Sequence, residues 1–360
     1  MKLKNSFRLA ILLPFKEKYS PNDFGSVSLF VKDINELSKF KKQIKIFAHK
    51  TSSFFLGAQV VALKKNIWHI FSGKNAGHTK EFINKIRKNP PDIIEIHNRP
   101  KSAIIISKFF TNSKLFLFYH NDPLSFSSNS SVSDRIELIN KCEGICFVSL
   151  FLKKRFLENI PKSKIIKSKL HVIYNGVKPI KKIHSSKKWK NIVFVGELNN
   201  KKGFNYFFEA VHAIITEFKE WRVDIFGKSL NQKMSDKNNK QIKFHGYKNN
   251  KFVLNFLTKS SISVVPSVWQ EPFGRTLIES INAGTATITS TNGGLKEIAK
   301  HFKVLKLREI SKKTIYLSIK KLIMSQNDKN YYSNNSVEDS PFTLNKISKK
   351  LDSLRTKALR

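Results

Sequence analysis

The chain has 360 residues, 40% of them hydrophobic, and this length exceeds what one hydrophobic core usually serves, so two packed domains are expected. The formal net charge of +40 divides evenly: residues 1–180 carry 32 basic and 12 acidic residues and residues 181–360 carry 34 and 14, or +20 each, which excludes a dedicated basic tail. No recognition helix, finger or aromatic RNA-binding strand accompanies the charge, so we predict no nucleic-acid partner, whereas an anionic membrane surface stays open.

The first half alternates short apolar runs with segments of helical period, the pattern of βα units wound into a parallel sheet. The run from Leu9 to Leu13 follows basic residues as a signal peptide would, but it is short and no small-residue cleavage site follows, so we interpret it as the first strand. The two cysteines, Cys142 and Cys146, suit neither a disulfide framework nor a four-ligand zinc site and are interpreted as buried thiols. Strands are predicted at Arg8–Leu13, Ile44–Ala48, Ile93–His97, Lys114–His120, Gly144–Ser149 and Leu170–Tyr174, and helices near Ser28–Phe40, Thr79–Lys88 and Leu150–Glu158.

The second half repeats the alternation after a basic, weakly apolar stretch that contains Pro179, Ser185 and Ser186 and predicts an interdomain linker at 178–190. Leucine and isoleucine at helical spacing predict a closing helix within 341–360, and asparagine and serine predict a loop from Tyr331 to Ser340. The predicted domains are therefore 1–177 and 191–340, both Rossmann-like. Strands are predicted at Ile192–Val195, Val223–Phe226, Ile242–Phe244, Ile262–Pro266, Thr287–Ser290 and Val304–Leu307, with helices that include Tyr206–Phe218 and Val253–Thr258.

Two glutamates separated by seven residues, Glu271 and Glu279, form the most informative motif. Pro272 suits a turn or a first helical position, because its ring fixes φ and it has no N–H to satisfy. We therefore predict a helix that begins near Phe273 or Gly274. The first-turn N–H groups of such a helix attract phosphate or sugar oxygens, and glycine lets a ligand approach them closely. One carboxylate thus precedes the helix and the other lies inside it, beside an anion-binding terminus.

Further signals surround this motif in a fixed order. They are Tyr174-Asn175-Gly176-Val177, Val195-Gly196-Glu197-Leu198 followed by Lys202-Gly203, Phe244-His245-Gly246, Val265-Pro266-Ser267, and Gly293-Gly294 with Glu297. The ordered set resembles the retaining nucleotide-sugar glycosyltransferases of glycosyltransferase family 4 (group 1) over most of the chain. The resemblance implies the GT-B fold, an α/β architecture of two Rossmann-like domains that face each other across a cleft. Donor and acceptor would meet there at the carboxyl ends of both sheets, and the C-terminal helix would pack back against the domains.

The resemblance assigns the two glutamates and the helix start to the donor. Glu279 would hydrogen-bond the ribose hydroxyls of the nucleotide, and Glu271 would lie by the transferred sugar as a catalytic residue, orienting its hydroxyls or stabilising positive charge as the glycosidic bond breaks. Backbone N–H groups would stabilise the charge that grows on the leaving group. These groups belong to Phe273, Gly274, Arg275 and Thr276.

Lys202, between a predicted strand and a predicted helix, is interpreted as a ligand of the donor diphosphate, with Gly196 at the end of that strand also donor-binding. The family usually places an arginine where this chain has Glu197. A carboxylate there repels a diphosphate unless it points away or pairs with a cation, for which Lys201, Lys202 and Arg275 are the candidates.

In the first domain, His120 follows a predicted strand where the family keeps a histidine near the transferred sugar. We interpret it as a catalytic-site residue that hydrogen-bonds sugar or acceptor; the alternative is a structural histidine. Asn98 and Arg99 are the candidate acceptor-binding residues, although Arg99 would equally suit a strand-end salt bridge. Gly25 lies in the segment Tyr19–Ser26, which takes the place of the family's Gly-Gly loop near the donor diphosphate.

The resemblance implies transfer of a sugar from a nucleotide-diphosphate donor to a hydroxyl of a glycan or lipid-linked acceptor, with lipopolysaccharide or surface polysaccharide as the expected product. No Asp-x-Asp cluster is present, so we predict a metal-independent reaction without a cofactor. No stretch approaches a membrane-spanning length, and a cytoplasmic protein is expected, either soluble or in peripheral contact with the inner face of the cell membrane. Two alternatives stay open: an epimerase or glycan synthase on the same scaffold, and a non-catalytic polyanion-binding protein in which Glu197 marks a decayed donor site.

Overall fold

The computed structural model describes residues 7–21, 23–64, 73–127, 130–183, 187–228 and 239–360. The chain divides into two compact units, one formed by Met1–Asn175 with Leu344–Arg360 and the other by Gly176–Thr343. Each unit is a parallel sheet with helices around it, so the predicted α/β class with two Rossmann-like domains is confirmed. Three residues of the predicted linker, His184, Ser185 and Ser186, lie outside the described residues.

The first unit contains a seven-stranded parallel sheet in the order β3-β2-β1-β4-β5-β6-β7. The chain runs outward from β1 to β3 and then returns to the other side of β1, so a topological switch point lies between β1 and β4, where α/β sheets bind ligands. The strands are β1 Leu9–Leu12, β2 Ile44–His49, β3 Gln59–Leu63, β4 Ile93–His97, β5 Lys114–Tyr119, β6 Gly144–Phe147 and β7 Leu170–Val172. The helices are α1 Ser26–Leu37, α2 Lys74–Ile86, α3 Pro100–Phe109, α4 Val132–Lys141 and α5 Leu150–Leu157.

The C-terminal helix, Leu344–Ala358, belongs to this first unit. Its residues Leu344, Ile347 and Leu351 lie in the same buried cluster as the apolar face of α1. Arg355 is 1% exposed and grips Glu95 of β4 through two hydrogen bonds of 2.7 and 2.9 Å. The helix therefore packs back as predicted, on the first sheet, and an interior ion pair fixes its register.

The second unit contains a six-stranded parallel sheet in the order β10-β9-β8-β11-β12-β13, with its switch point between β8 and β11. The strands are β8 Trp189–Val195, β9 Arg222–Phe226, β10 Ile242–Gly246, β11 Ser260–Val265, β12 Ala286–Thr289 and β13 Leu305–Lys306. The helices are α6 Phe204–Glu217, α7 Asn250–Lys259, α8 Arg275–Asn282, α9 Leu295–His301, α10 Lys312–Met324 and α11 Gln326–Ser333. The C-terminal helix of the first unit is α12.

Four elements depart from the predicted pattern. Strand β3 was not predicted, because it is a half-exposed edge strand whose side chains do not alternate in burial. Helices α3 and α4 were not predicted either; the β-branched run in α3 looks like a strand until Pro100, at its N-terminus, is given weight. The loop predicted from Tyr331 is wrong over its first residues, since α11 extends to Ser333.

Candidate functional site

At the switch point of the second sheet, the loops after β8 and β11 bring Lys202 and Glu271 together. Lys202 ends a short 3₁₀ turn, Asn200–Lys202, and its Nζ lies 2.6 Å from Glu271 Oε1. Ser267, which is 1% exposed, donates its hydroxyl to the same oxygen at 2.7 Å. Glu271 is thus a buried carboxylate held by one cation and one hydroxyl. A charge-assisted bond of this length is strong and directional.

The second glutamate of the motif lies inside α8, as predicted, and is also buried and paired. Glu279 Oε1 accepts from Arg275 Nε at 2.7 Å, one helical turn earlier, and from Asn250 Nδ2 at 3.0 Å. Both donors meet the same carboxylate oxygen. Glu279 is 5% exposed, so its orientation is determined by these bonds and by the packing of α8.

A loop of unusual backbone geometry connects the two glutamates. Gly274 has φ 105°, and a Cβ there would lie 2.3 Å from Leu295 Cδ2, so the turn into α8 excludes a side chain. Residue 271 forms a parallel β-bridge with Gly293, where φ is 62° and a Cβ would lie 2.3 Å from the Glu271 carbonyl oxygen. The Gly293-Gly294 pair of the sequence motif therefore shapes the loop that carries Glu271.

The start of α8 is built from the predicted residues. The first amides of α8 that donate to a carbonyl of the preceding turn are those of Leu277 and Ile278, which both donate to the Gly274 carbonyl, at 3.1 and 3.4 Å. Arg275 and Thr276 precede them, so their N–H groups lie in the first turn, at the positive end of the helix dipole. The Phe273 ring is buried and stands edge-on to Phe342 at 5.8 Å, so its contribution to a ligand would come from the backbone.

Gly196 and Glu197 directly follow strand β8. Gly196 N donates to the Phe226 carbonyl at 2.9 Å, which ties the ends of β8 and β9 together. Glu197 is exposed and accepts a hydrogen bond from Asn199 Nδ2 at 2.9 Å. Lys202 and Arg275, two of the three cations considered as partners for Glu197, instead hold Glu271 and Glu279. The third, Lys201, lies over the Trp269 ring at 5.4 Å.

In the first unit, the ends of β4 and β5 bring His97 and His120 into contact. His97 Nδ1 lies 2.8 Å from His120 Nε2, and the rings stack with centroids 5.1 Å apart. Burial lowers the pKa of His120 to about 3 and lowers that of His97 well below its usual value, with proximity to His120 and Arg355 adding to the latter. Both imidazoles are therefore neutral at physiological pH.

Asn98 joins these two strand ends. It adopts φ 51°, and its Oδ1 accepts from the backbone N–H groups of His120 and Asn121 at 2.8 and 3.3 Å. The side-chain oxygen of this candidate acceptor-binding residue thus already has two partners within the fold. Arg99 donates to Asn75 Oδ1 at 3.1 Å and to the Asn98 carbonyl at 2.6 Å. Burial lowers the pKa of the Arg99 guanidinium, while neighbouring Glu17 raises it.

Gly25 precedes α1 and lies against Glu17. A Cβ at Gly25 would be 2.5 Å from the Glu17 carboxylate oxygens, which also accept the Ser28 hydroxyl at 3.1 Å. The Glu17 carboxylate therefore lies at the N-terminus of α1, next to Gly25 in the segment that was predicted to approach the donor diphosphate. Burial raises the pKa of Glu17, whereas hydrogen bonds from Ser28 and Gly25 and the charge of Arg99 lower it.

The structure thus groups the predicted residues into two sets, one in each unit. Sequence reasoning missed four members of these sets: Ser267, Asn250, His97 and Glu17. Ser267 and His97 stand in segments that the sequence had singled out, at the ends of strands, and that position was the available signal. No motif marked Asn250 or Glu17, because Asn250 contacts Glu279, 29 residues away, and Glu17 contacts Ser28, 11 residues away, beyond the reach of helix or strand periodicity.

Within the described ranges, no helix combines the length and apolar character needed to cross a membrane. In the same part of the chain, no cluster of three or more His, Cys, Asp or Glu side chains has the arrangement of a metal site.

Comparison with known proteins places these motifs in context. A family model described as "Glycosyl transferases group 1" matches residues 178–339. A putative glycosyltransferase, YtcC, from Bacillus subtilis (strain 168) is 25% identical over 261 residues, which are 62% of this chain and 61% of YtcC. An uncharacterized 42.6 kDa protein in the cps region of Klebsiella pneumoniae is 27% identical over 261 residues, 66% of this chain and 67% of that protein. The YtcC alignment thus spans less than two thirds of that relative.

Solved structures share the fold over nearly the whole chain. Anabaena Alr3699/HepE in complex with UDP and glucose superposes with a TM-score of 0.75 and 14% identity, covering 98% of this chain and 100% of that one. WaaG, a glycosyltransferase involved in lipopolysaccharide biosynthesis, superposes with a TM-score of 0.71 and 14% identity, covering 96% and 99%. At this identity the likeness establishes the fold, the GT-B architecture of these proteins.

Proposed function

From the match of residues 178–339 to the group 1 glycosyl transferases, we propose that the protein is a retaining glycosyltransferase. It moves a hexose or related sugar from a nucleoside diphosphate to a hydroxyl of a glycan or lipid-linked acceptor. The observation that carries this proposal is the pairing of two buried carboxylates with two cations, Glu271 with Lys202 and Glu279 with Arg275, at the switch point of a Rossmann-like sheet.

The proposed reaction uses these groups as follows. The acceptor hydroxyl oxygen bonds to the anomeric carbon on the face that the diphosphate leaves, the anomeric carbon–oxygen bond breaks, and the hydroxyl proton passes to the departing phosphate oxygen. Negative charge grows on the diphosphate, where the Lys202 ammonium and the first-turn N–H groups of α8 would stabilise it. Glu271 would face the positive charge that develops on the sugar, and Glu279 would bind the ribose.

Lys202 has a double role in this scheme. In the structure its ammonium donates a hydrogen bond of 2.6 Å to Glu271. When the nucleotide sugar is bound, we propose that another N–H of the same ammonium donates to the diphosphate. An ammonium carries three donors, so it can hold Glu271 and a phosphate oxygen at once. The same cation would then supply the charge that a divalent metal ion supplies elsewhere, which supports the proposal that transfer needs no metal.

The relatives suggest the acceptor and the first donor to test. The Klebsiella relative lies in a cps region, and WaaG acts in lipopolysaccharide biosynthesis. We therefore propose a role in surface polysaccharide or lipopolysaccharide synthesis, at the cytoplasmic face of the cell membrane. Alr3699/HepE has been captured with UDP and with UDP-glucose, which makes UDP-sugars the natural starting point.

Calorimetry on the full chain with UDP-, GDP-, ADP- and TDP-sugars, in EDTA, tests the donor site. We expect one nucleotide sugar to bind. We expect Glu279→Gln to lower the affinity for that nucleotide sugar by about tenfold or more, because one carboxylate oxygen that would accept a hydrogen bond from the ribose is lost. Glu220→Gln, which removes an exposed carboxylate of the same unit, is the matched control and should bind as the unchanged protein does. Donor binding that requires a divalent ion would contradict the metal-independent proposal.

Product analysis then separates the enzymatic alternatives. NMR of the product should show the anomeric configuration of the donor sugar preserved on a new acceptor oxygen. An interconverted nucleotide sugar without acceptor would indicate an epimerase, and a homopolymer or sugar phosphate product would indicate a synthase. If no nucleotide sugar binds at any salt concentration while heparin binds independently of Lys202 and Glu279, the protein is a polyanion-binding protein instead.

A further inference from the structure

His97 and His120, at the carboxyl ends of strands β4 and β5, form a hydrogen-bonded pair that leaves one nitrogen of each ring without a partner in the part of the chain that the structure describes. The inner nitrogens, His97 Nδ1 and His120 Nε2, are 2.8 Å apart and share one proton. Among the described residues, the outer nitrogens, His97 Nε2 and His120 Nδ1, are buried and have no hydrogen-bond partner. Buried polar atoms without a partner are rare, and such atoms at a strand end point to a ligand.

Proton counting limits the pair to two arrangements. A neutral imidazole has one N–H and one lone pair on its two ring nitrogens. The ring that donates the inner hydrogen bond is left with an outer lone pair, and the ring that accepts it is left with an outer N–H. The pair therefore has one outward donor and one outward acceptor, and the direction of the inner bond decides which residue carries which.

Burial favours one of these directions. An unpartnered buried N–H is rarer in proteins than an under-satisfied acceptor. His97 is the deeper ring, 1% exposed against 5% for His120, and it stacks on Phe118 with centroids 4.6 Å apart. The arrangement that leaves His97 with only a lone pair has His97 Nδ1–H donating to His120 Nε2. His120 then carries its proton on Nδ1.

We propose that His97 is a positioning residue that holds His120 as the Nδ1–H tautomer, so that His120 presents a hydrogen-bond donor, and no base, to a ligand hydroxyl. The tautomer rests on the geometry of the pair alone. The ligand, a hydroxyl of the transferred sugar or of the acceptor, rests on the proposed function.

The surroundings keep the two rings in this relation. Asn98 Oδ1 accepts a hydrogen bond from the backbone N–H of His120, and Asn98 directly follows His97 in the chain. This bond holds the backbone of His120 in place relative to His97. Phe30 stands edge-on to His120 with centroids 5.0 Å apart and limits rotation of that ring. A change at residue 97 should therefore alter the hydrogen bond before it alters the position of His120.

Substitution at residue 97 tests the proposal with an isosteric pair. The amide nitrogen of asparagine stands as many bonds from Cβ as Nδ1 does, so His97→Asn keeps a donor toward His120 Nε2. His97→Gln places its amide one bond further out, and His97→Phe keeps the ring that stacks on Phe118 and removes the donor. Melting temperatures of the variants identify any that fail to fold.

Nitrogen-15 NMR of the intact, ligand-free protein with labelled histidine reads the tautomer directly. We expect the Nδ1–H form of His120 in the unchanged protein and in His97→Asn, and its loss in His97→Gln and His97→Phe. An Nε2–H signal for His120 in the unchanged protein would overturn the proposal. So would an Nδ1–H signal that persists in folded His97→Phe, because His97 would then not be its cause.

Kinetics give a second readout once a transferase reaction is in hand. We expect His97→Gln and His97→Phe to lower kcat about 10- to 100-fold, because the His120 N–H is no longer aligned with the ligand hydroxyl. The KM for the nucleotide sugar should change little. His97→Asn should keep kcat within a few fold. If no transfer is found, the proposed function is wrong and the NMR result is still valid. If the NMR shows the other tautomer, the proposal for His97 is wrong and the proposed transferase function is not affected.

Discussion

Lys202 is the residue through which stability and ligand binding are coupled in the second unit. Replacing it with methionine leaves Glu271, with 11% of its side chain exposed, without its cation. Because Lys202 itself is a third exposed, solvent screens part of the loss, and we expect the free energy of unfolding to fall by about 1–2 kcal/mol. Donor affinity should fall by about tenfold or more, measured by calorimetry.

Lys201→Met is the control for that change. It removes a neighbouring lysine whose ammonium lies over Trp269, so the net charge changes equally while Glu271 keeps its partner. Equal losses of donor affinity in the two variants would mean that the general positive field binds the donor and that the Lys202–Glu271 pair has no specific part.

His120 makes the stability of the first unit depend on pH. Its pKa is about 3 in the folded protein and about 6.5 when unfolded, so between these values the unfolded chain binds more protons. The contribution of neutral His120 to the free energy of unfolding is complete above about pH 6.5 and is lost as the pH falls toward 3. In that range the free energy of unfolding changes by at most about 1.4 kcal/mol per pH unit. Urea unfolding between pH 7 and 4.5 should show the slope.

A matched pair of variants isolates this titration. His120→Gln should flatten the dependence, whereas His301→Gln, which removes an exposed imidazole, should preserve it. If His120→Gln unfolds with the same pH slope as the unchanged protein, the acid sensitivity belongs to other groups. His97, whose pKa burial also lowers, is the first of these to examine, and its slope has the same sign.

The positions of Glu271 and Glu279 follow from local rules, but their partners do not. Pro272 and Gly274 mark the start of α8, so one glutamate before the helix and one inside it is predictable from spacing. Lys202 and Glu271 are 69 residues apart, and Asn250 and Glu279 are 29 apart. Such pairings depend on which strands are neighbours in the sheet, and no short window of sequence contains that information.

Among the elements, the start of α8 depends on Gly274 more than on any hydrogen bond. Gly274→Ala would force a Cβ to within 2.3 Å of Leu295 at φ 105°, so we expect a loss of about 2–4 kcal/mol in unfolding free energy. Gly246→Ala is the control, since φ is 65° there and no atom lies within 4 Å of the added Cβ. It should cost about 1–2 kcal/mol, the backbone term alone.

The difference between these two variants measures the clash. If Gly274→Ala and Gly246→Ala are equally stable by urea titration, the contact with Leu295 relaxes freely and the shape of the loop is not determined by packing. A larger loss at Gly274 should also reduce donor binding, because the first turn of α8 would shift.

Helix α12 is joined to the first sheet by a buried charge cluster. Asp352 adds to it by accepting the Arg355 guanidinium at 3.0 Å and the Ser38 hydroxyl at 2.7 Å. Arg355→Met would leave Glu95, which is 1% exposed, as an unpaired buried charge, at a cost of about 3–5 kcal/mol. Chemical denaturation should show the loss.

Lys349→Met, at an exposed position of α12, is the control and should change stability by less than about 0.5 kcal/mol. A second variant distinguishes the pair from its packing. If Arg355→Met with Glu95→Gln is no more stable than Arg355→Met alone, the unpaired carboxylate is not the source of the loss.

The elements that were predictable are those that stand alone as patterns. Strands β4 and β5, which are buried apart from Lys114 at the start of β5, were located within a residue or so, because a strand covered on both faces is mostly apolar. Edge strand β3 was missed because its partial exposure weakens that signal. The heptad-like leucines of α12 predicted a helix that packs back, but Arg355, its deepest contact, reads as a surface charge in sequence.

For the whole molecule, the net charge of +40 makes attraction to an anionic surface the dominant long-range force. We expect the protein to bind vesicles that contain phosphatidylserine and not vesicles of neutral phosphatidylcholine. Binding should weaken steeply as salt rises from 50 to 500 mM, since the Debye length shortens from roughly 14 to 4 Å. Vesicle sedimentation measures this. Salt-independent binding, or equal binding to neutral vesicles, would indicate an apolar contact instead.

The position of Arg355 has a consequence for how the chain is made. Glu95 emerges from the ribosome 260 residues before its partner, which at about 5–20 residues per second is a delay of roughly 13–50 seconds. Once β7 has emerged, the nascent first unit has all the strands of its sheet but neither α12 nor the cation for its interior carboxylate. A chaperone that binds exposed apolar surface would find it there, on the face of α1 that α12 later covers. Synthesis of α12, rather than of residue 175, is the step that completes the first unit.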